Sequence, residues 1–409
     1  MKFSDYNSIS DQLKTNLNAL GFIKPTDIQY KSIPAILKGE DVLAIAQTGT
    51  GKTAAFAIPI IDKIHRQKSS KRSLGIQCLV MVPTRELAVQ ISEVFEKISK
   101  HTKVQSFALY GGVEQENQIK KLSDGIDILI STPGRMFDLI SQGHISLSTL
   151  STLVLDEADH MLDLGFIKDI KDVIRMLPRN RQTLFFSATI DEKIKKLAYS
   201  IVNNPIRIQI SPKDPVSKNV DHSVVFVEMD DKRFFLERIL KGNKESKILV
   251  FVRTKVRAER VLKAMERVGI DALTIHGGKD QENRFSVLKK FTAGDVKLLI
   301  ATDVSARGID IADVDFVVNY DLPEQPENYV HRVGRTGRGN KKGIAVSFCS
   351  EEEKEILKEI EQFVHKEIKR MEISSIDYEE TIDFSDEGFS DWKSLLKENE
   401  NFKKRKKKK

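Results

Sequence analysis

The chain contains little of what marks secreted, zinc-stabilised or membrane proteins. Its 409 residues include only two cysteines, Cys78 and Cys349, which lie far apart in apolar stretches without metal-ligand spacing. We expect both to be buried thiols in a reducing compartment. No apolar run reaches the ~18 residues that a membrane-spanning helix needs, and the N-terminus has no apolar signal core. These absences predict a soluble, cytoplasmic protein without a membrane partner.

The formal net charge of +7 is distributed in three blocks of alternating sign. Residues 1–371 carry +8, residues 372–400 carry −8 from ten acids and two bases, and residues 403–409 are all lysine or arginine. Because 40% of the residues are apolar, the body can form cores. We expect the acidic-then-basic tail at 372–409 to be disordered.

Short apolar runs alternate with longer helical patterns in two halves of the chain, which predicts an α/β fold. The runs cover 42–46, 79–82, 128–130, 153–155 and 184–186 in the first half, and 248–252, 298–300, 316–318 and 344–346 in the second. Such runs are typical of strands buried on both faces of parallel sheets. Ligands of such sheets bind at the carboxyl ends of the strands. Two prolines among polar residues predict a linker at 208–219, between domains at 1–207 and 220–371.

A glycine-rich turn follows the first run. Residues 46–53 read Ala-Gln-Thr-Gly-Thr-Gly-Lys-Thr. Glycines allow backbone N–H groups to approach phosphate oxygens, and the following helix N-terminus favours anions. Lys52 can reach the β and γ phosphates, and the Thr53 hydroxyl can ligate Mg²⁺. An ordinary glycine turn is the alternative, since the usual first glycine is Ala46 here.

An acidic turn follows the run at 153–155. It reads Asp156-Glu157-Ala158-Asp159. An acid at the end of a buried strand is suited to a Mg²⁺-bound water, and Glu157 can orient or deprotonate the attacking water. The alternative is a solvated acidic turn. Together with the glycine-rich turn, this segment predicts a nucleoside-triphosphate hydrolysis site.

At these motifs the chain resembles the DEAD-box RNA helicases of superfamily 2. The segment Asp156–Asp159 is the motif that names the family, and the other motifs follow the family's order from Phe3 to about Phe348. The resemblance implies two tandem RecA-like domains, an ATP-binding domain at 1–207 and a helicase C-terminal domain at 220–371. Residues 161–166 and the tail length resemble the bacterial RhlE-like branch.

The resemblance assigns a nucleotide site that uses residues from both halves. Adenine is assigned to Phe22, Lys24 and Gln29, and the phosphates to Thr48, Gly49, Thr50, Gly51, Lys52 and Thr53. The second half contributes Gly308, Asp310, Arg335 and Arg338, the two arginines acting as fingers with Lys52, Asp156 and Glu157 in catalysis. Coupling to strand separation is assigned to Ser187, Thr189, Asp159 and His331. Catalysis then requires the halves to close. Taken alone, these segments are also typical of helix caps and solvated basic turns.

Loops that carry hydroxyls, glycines and arginines resemble the family's RNA contacts. These are Pro83, Thr84, Arg85, Gly111, Gly112, Thr132, Pro133, Gly134 and Arg135 in the first half, and Arg253, Gly277, Gly278, Arg284, Thr302 and Asp303 in the second. Such groups suit phosphate and 2′-OH contacts that do not depend on base sequence. Each segment alone is also typical of a loop or a helix cap.

The resemblance therefore implies an ATP-dependent RNA helicase that separates short duplexes locally with ATP and Mg²⁺. One alternative is an ATP-gated RNA clamp or remodelling scaffold with little unwinding. A DNA translocase is disfavoured by Asp159 and by the segment around Gln29. The basic terminus can add salt-dependent RNA affinity or only solubility. Apolar residues at 389–396 are a possible protein-docking helix, and we expect a monomer.

Overall fold

The computed structural model describes residues 2–47, 49–73, 75–210, 216–303, 311, 314–337 and 341–383. These residues form two compact units, the first built from residues 2–210 and the second from residues 216 onward. Each unit contains a single parallel sheet flanked by helices.

The first unit alternates strands with helices. Its strands are β1 (Val42–Ala46), β2 (Cys78–Met81), β3 (Ser106–Leu109), β4 (Ile128–Ser131), β5 (Thr152–Leu155), β6 (Gln182–Ser187) and β7 (Ile206–Ile210). Its helices are α1 (Asp11–Ala19), α2 (Asp27–Leu37), α3 (Lys52–Gln67), α4 (Arg85–Ile98), α5 (Gln115–Ser123), α6 (Pro133–Ser141), α7 (Ala158–Asp163), α8 (Ile167–Met176) and α9 (Glu192–Ile201).

The second unit repeats this alternation. Its strands are β8 (Val220–Phe226), β9 (Ile248–Val252), β10 (Leu273–Ile275), β11 (Leu298–Thr302), β12 (Phe316–Asn319), β13 (Gly343–Cys349) and β14 (Lys369–Met371). Its described helices are α10 (Lys232–Gly242), α11 (Lys255–Arg267), α12 (Gln281–Ala293), α13 (Pro326–Val333), α14 (Lys354–Val364) and α15 (Ser375–Asp383).

The two sheets have the same strand order. The first runs β3-β4-β2-β5-β6-β1-β7 and the second runs β10-β11-β9-β12-β13-β8-β14, with parallel pairing throughout. Counted from the first strand of each unit, the orders are identical. The predicted parallel α/β fold is confirmed, and one architecture is used twice. All carboxyl ends in a sheet lie at one edge, where ligands of parallel sheets bind.

Helices cover both faces of the first sheet, which accounts for the continuous apolar runs. Alternate residues of β1 point to opposite faces, so Val42 and Ala44 enter one core while Leu43 and Ile45 enter the other. The central strands are buried along their full lengths. Both cysteines are free and buried, as predicted. Within the described residues, none of the helices has the length and apolar character that a membrane crossing requires.

Two predicted boundaries differ from the structure. Residues 208–210, predicted as linker, belong to β7, because Ile208 is buried and pairs with Ala44. Residues 375–383, predicted as part of a disordered tail, form helix α15, so that prediction is wrong for this segment. The Tyr378 ring packs against Phe235 at 4.9 Å, and Arg238 donates to the Thr381 hydroxyl. The sequence signal was obscured because acidic residues dominate this helix.

Candidate functional site

The candidate nucleotide residues of the first unit follow three neighbouring strands. The glycine-rich turn follows β1, the segment Ser187–Thr189 includes the end of β6, and the acidic turn follows β5. Since the sheet order contains β5-β6-β1, their carboxyl ends are adjacent. The fold thus gathers three segments that are distant in sequence at one part of the sheet edge.

Two glycines with positive φ shape the turn after β1. Gly49 has φ 79° and Gly51 has φ 90°, a left-handed conformation that other residues adopt at a cost. Helix α3 begins immediately afterwards at Lys52. The Lys52 Nζ donates to the Ala46 carbonyl oxygen at 2.9 Å, and the Thr50 hydroxyl donates to the Gln47 carbonyl oxygen at 2.8 Å. Lys52 is therefore buried at the start of the turn that it is predicted to serve.

Gln29 connects the predicted adenine segment to this turn. Its side chain is 3% exposed, its Nε2 donates to the Gly51 carbonyl oxygen at 3.1 Å, and its Oε1 accepts from the Thr26 N–H at 3.0 Å. A Cβ on Gly51 would lie 2.5 Å from Nε2, so this close approach requires glycine. Nearby, Phe22 packs edge-on to Phe3, and Lys24 is exposed. The Gln29 amide thus stabilises the glycine-rich turn through its backbone.

The acidic turn contains a buried carboxylate and a strained backbone. Asp156 is 3% exposed, and burial raises its pKa to about 6. The positive charge of Lys52 acts in the other direction and lowers this pKa in part. Its Oδ1 accepts from the Glu157 N–H at 3.0 Å. Glu157 has φ 51°, which is uncommon for a residue other than glycine and is typical of functional turns. His160, which sequence reasoning missed, is buried with its Nδ1 3.4 Å from the Glu157 Oε2.

Asp159 joins the acidic turn to the segment after β6. Its Oδ2 accepts from the N–H groups of Ala188 and Thr189, both at 3.0 Å, and from the Thr189 hydroxyl at 3.1 Å. The Ser187 hydroxyl is buried and has no hydrogen-bond partner among the described residues. A movement of either segment must therefore break or carry along three hydrogen bonds on one carboxylate oxygen.

The candidate RNA residues of the first unit follow the other neighbouring strands, β3, β4 and β2. Thr84 caps α4 by accepting from the Leu87 N–H. The Arg85 guanidinium lies across Gly111, whose added Cβ would be 3.5 Å from it. Arg135 donates to the Gln118 Oε1 at 2.8 Å and to the Val113 carbonyl oxygen at 3.1 Å.

These contacts bring the three segments together as one surface. The remaining predicted residues of this surface are Pro83, which is buried after β2, Gly112 and Gly134, which are exposed, and Thr132 and Pro133, which are buried at the start of α6.

The candidate RNA residues of the second unit follow the equivalent strands β9, β10 and β11. Arg253 is only partly available, because its guanidinium donates to the Glu353 Oε1 at 3.1 Å and to the Leu322 carbonyl oxygen at 3.3 Å. Gly277 and Gly278 are exposed after β10, and Thr302 ends β11. Arg284 is half-buried on α12.

Asp303 holds a buried arginine that sequence reasoning did not single out. Arg332 is 2% exposed, and its guanidinium makes a bidentate pair with the Asp303 carboxylate at 2.6 and 2.7 Å. It also donates to the Asp321 carbonyl oxygen at 2.7 Å and lies over the Phe251 ring. The available signal was the helical spacing of Tyr329 and Val333, which places Arg332 on the same face of α13, and the arginine-rich segment concealed it.

Arg335, predicted as a finger, is buried in its own unit, where its Nε donates to the His331 carbonyl oxygen at 3.3 Å. Several other predicted residues lie outside the described residues. They are Thr48, Gly308, Asp310, Arg338 and the docking segment at 389–396. Their assignments stay predictions.

Comparison with known proteins gives the same family from sequence and from structure. Residues 26–197 match the family DEAD/DEAH box helicase, and residues 231–340 match the helicase conserved C-terminal domain. The DEAD-box ATP-dependent RNA helicase CshA of Bacillus cereus is 41% identical over 371 residues, covering 90% of this chain and 69% of the relative. CshA of Bacillus subtilis is 40% identical over 375 residues, covering 92% and 75%.

Solved structures agree with this assignment. S. cerevisiae Dbp5 bound to RNA and ADP BeF3 matches with a TM-score of 0.81 at 30% identity, covering 93% of this chain and 97% of that chain. Mss116p bound to ssRNA and AMP-PNP matches with a TM-score of 0.83 at 28% identity, covering 94% and 82%. The two sheets are therefore RecA-like domains. The chain belongs to the DEAD-box family and is an ATP-dependent RNA helicase.

Proposed function

We propose that the first unit divides its sheet edge between two ligands, ATP at β5-β6-β1 and RNA at β3-β4-β2. The observation that carries the ATP half is the placement of the glycine-rich turn and the acidic turn at the ends of β1 and β5, which both neighbour β6 in one parallel sheet. The connection from Asp159 to Thr189 supports a coupling role for the segment between them. Adjacent ligand sites on one rigid sheet provide a direct route by which nucleotide state influences RNA affinity.

The proposed chemical step transfers the terminal phosphoryl group of ATP to water. Glu157 orients the water and accepts its proton as the water oxygen bonds to the γ-phosphorus. The bond from that phosphorus to the bridging oxygen breaks, and ADP leaves. Lys52 neutralises charge on the β and γ phosphates. The finger roles of Arg335 and Arg338 are proposed from the family resemblance.

We propose that Mg²⁺ accompanies ATP, held by Asp156 and Thr53 mostly through water. Both side chains offer oxygen donors, which Mg²⁺ prefers. Burial raises the pKa of Asp156, so an adjacent cation would stabilise the ionised carboxylate. The metal ion would supply charge neutralisation on the phosphates.

RNA is the proposed nucleic-acid ligand, bound without base specificity. Dbp5 and Mss116p are RNA-bound in the structures that this chain resembles. Support from this chain comes from the repeated pattern, because the candidate residues follow equivalent strands in both units. Backbone N–H groups, hydroxyls and arginines at strand ends suit phosphate and 2′-OH contacts.

Several finer assignments are proposed on sequence grounds. The RhlE-like branch rests on residues 161–166, whereas the relatives described above are named CshA. A cytoplasmic location is supported by two free, buried thiols. Apart from the two corrected boundaries, the domain division is likewise a prediction. The same holds for a partner for residues 389–396, RNA contacts by the basic terminus and a monomeric state.

The test is ATP turnover measured with RNA, with DNA and without nucleic acid. We expect RNA to stimulate turnover, and Glu157→Gln to reduce it by more than about 100-fold, in the range seen when one transition-state contact is lost. Glu192→Gln, an exposed acid on α9, is the matched control. Unchanged turnover in Glu157→Gln would contradict the assigned site. Displacement of a short labelled duplex under ATP distinguishes a helicase from a clamp that only holds RNA.

A further inference from the structure

A histidine ring lies directly behind the Gly277–Gly278 turn. His276 follows β10, is 6% exposed and uses both ring nitrogens. Its Nε2 lies 2.7 Å from the Glu259 Oε1, and its Nδ1 lies 3.1 Å from the Gly278 backbone nitrogen. Glu259 also accepts from Lys279 at 3.0 Å and from the Thr274 hydroxyl at 3.2 Å. The ring therefore connects helix α11 to the backbone of the turn.

These contacts fix the tautomer of the ring. A backbone N–H can only donate, so the Nδ1 facing Gly278 must be unprotonated and accept. The proton of the neutral ring then lies on Nε2, which donates to Glu259. Glu259 is ionised, since its hydrogen bonds, led by the one from His276, lower its pKa to about 2. A carboxylate that orients an imidazole in this way sets which nitrogen can accept.

The two glycines of the turn have different surroundings. A Cβ on Gly278 would lie 3.2 Å from the His276 Nδ1, so glycine there allows the backbone to approach the ring closely. A Cβ on Gly277 would have no described atom within 4 Å. Internal packing therefore accounts for Gly278, whereas the open space at Gly277 allows an external ligand to approach the backbone.

The equivalent turn of the first unit is also held from inside. Gly111 and Gly112 follow β3, which occupies the position of β10. There, Gln118 donates to the Tyr110 carbonyl oxygen at 3.0 Å, and Arg135 donates to the Val113 carbonyl oxygen. Both units thus brace a Gly-Gly turn by side-chain bonds to its backbone, with different residues.

We propose that His276 is a positioning residue for RNA binding in the second unit. Its Nδ1 accepts a hydrogen bond from the Gly278 N–H and so fixes the turn. The backbone of Gly277 is thereby left accessible to RNA. This inference rests on the proposed RNA role of the turn. It narrows that role to Gly277 and assigns Gly278 to packing on the ring.

The experiment compares two substitutions that each preserve one ring nitrogen. In full-length His276→Asn, the Oδ1 can accept from the Gly278 N–H as an Asx turn. In His276→Gln, the longer amide can reach Glu259 but does not form that turn. With single-stranded RNA and saturating ATP, we expect the RNA concentration for half-maximal ATPase stimulation to rise about fivefold in His276→Gln. We expect His276→Asn to stay within about twofold, and the maximal rate of both variants to change by less than about twofold.

The pattern of outcomes separates this inference from its premise. If RNA does not stimulate the unmodified protein, the proposed function fails. If stimulation is normal but His276→Gln binds RNA as tightly as His276→Asn, only the role of His276 is overturned. Should His276→Gln fail to fold in a thermal melt, ¹⁵N NMR of the unmodified protein decides. An unprotonated Nδ1 supports the inference, and a protonated Nδ1 overturns it.

Discussion

The two units build the same sheet but differ in the connection that joins their first strand to the following helix. Lys52 is the first residue of α3 after β1, and Lys232 is the first residue of α10 after β8. The first unit reaches its lysine through a turn with two positive-φ glycines. The second reaches its lysine through residues 227–231, which contain no glycine.

In the second unit, the lysine at the start of the helix is paired with a carboxylate of the protein itself. Lys232 is 0% exposed and donates to the Glu353 carboxylate, with the Asp321 Oδ1 at 3.7 Å. Glu353 also accepts from Arg253 and from the N–H groups of Leu322 and Ser350, each at 3.1 Å. A lysine, an arginine and two backbone N–H groups are donors of the kind that a phosphate receives.

The difference indicates what makes a RecA-like sheet a nucleotide site. Both sheets supply a lysine after the first strand and an acid near the end of the fifth, Asp156 or Asp321. Of these two connections, only the one in the first unit contains glycines, which allow backbone N–H groups to approach an external anion. In the second unit, Lys232, Arg253 and two backbone N–H groups donate to Glu353, so we interpret this charge cluster as structural.

The largest expected effect is the loss of ATP hydrolysis in Lys52→Ala. Removal of this charge leaves the phosphates uncompensated, and we expect turnover at saturating RNA to fall by more than about 100-fold. The thermal unfolding midpoint should change much less than turnover, because the substitution removes one hydrogen bond, to Ala46, while Gln29 still donates to the Gly51 carbonyl oxygen. Lys193→Ala, at an exposed position on α9, is the control. A large loss of stability with normal turnover would mean that Lys52 is structural, and would contradict the proposed difference between the two units.

Glu353→Ala is expected to reduce the stability of the protein and not primarily its ATP turnover. It leaves Lys232 buried without its carboxylate, which typically costs about 3–5 kcal/mol of unfolding free energy. Denaturant unfolding measures this cost, and Glu351→Ala supplies a matched control because the Glu351 side chain is 74% exposed. A cost below about 1 kcal/mol would show that the cluster does not stabilise the second unit.

The strands of the sheet centres could be predicted from sequence, whereas the sheet edges could not. Each of the nine apolar runs coincides with a strand, although Val82 follows the last residue of β2. The edge strands β3, β7, β10 and β14 were not predicted. Edge strands are short and partly solvated, so they lack a continuous apolar run. Strand β8 was also missed, since Asp221, His222 and Ser223 interrupt it.

The chemistry of the nucleotide site was easier to predict than the buried side-chain contacts of the second unit. Lys52 and Asp156 lie in local motifs that can be recognised within a few residues. Arg332, Glu353 and His276 act through partners that are distant in sequence, such as Asp303 and Glu259. A single sequence does not specify such pairings, because any acid on the correct edge could serve.

Asp303→Asn tests whether Asp303 serves to pair with buried Arg332 or to contact RNA. The substitution removes the charge that pairs with buried Arg332, and we expect it to lower the unfolding free energy by about 1.5–3 kcal/mol. Asp295→Asn, at an exposed position before β11, is the control. If stability is unchanged and only RNA affinity falls, Asp303 contacts RNA directly and the anchor interpretation is wrong.

The smallest expected effect concerns the turn that replaces the glycine-rich loop in the second unit. Tyr378 on α15 accepts from the Glu228 N–H at 3.1 Å and donates to the Asp231 Oδ2 at 2.9 Å. Both partners lie between β8 and Lys232, so this hydroxyl stabilises the connection between them. Tyr378→Phe keeps the ring against Phe235 and should cost about 0.5–1.5 kcal/mol in denaturant unfolding. Tyr30→Phe, at an exposed position on α2, should cost nothing measurable. Equal effects of the two substitutions would mean that α15 contributes packing alone, and that the connection between β8 and Lys232 is equally stable without hydrogen bonds from Tyr378.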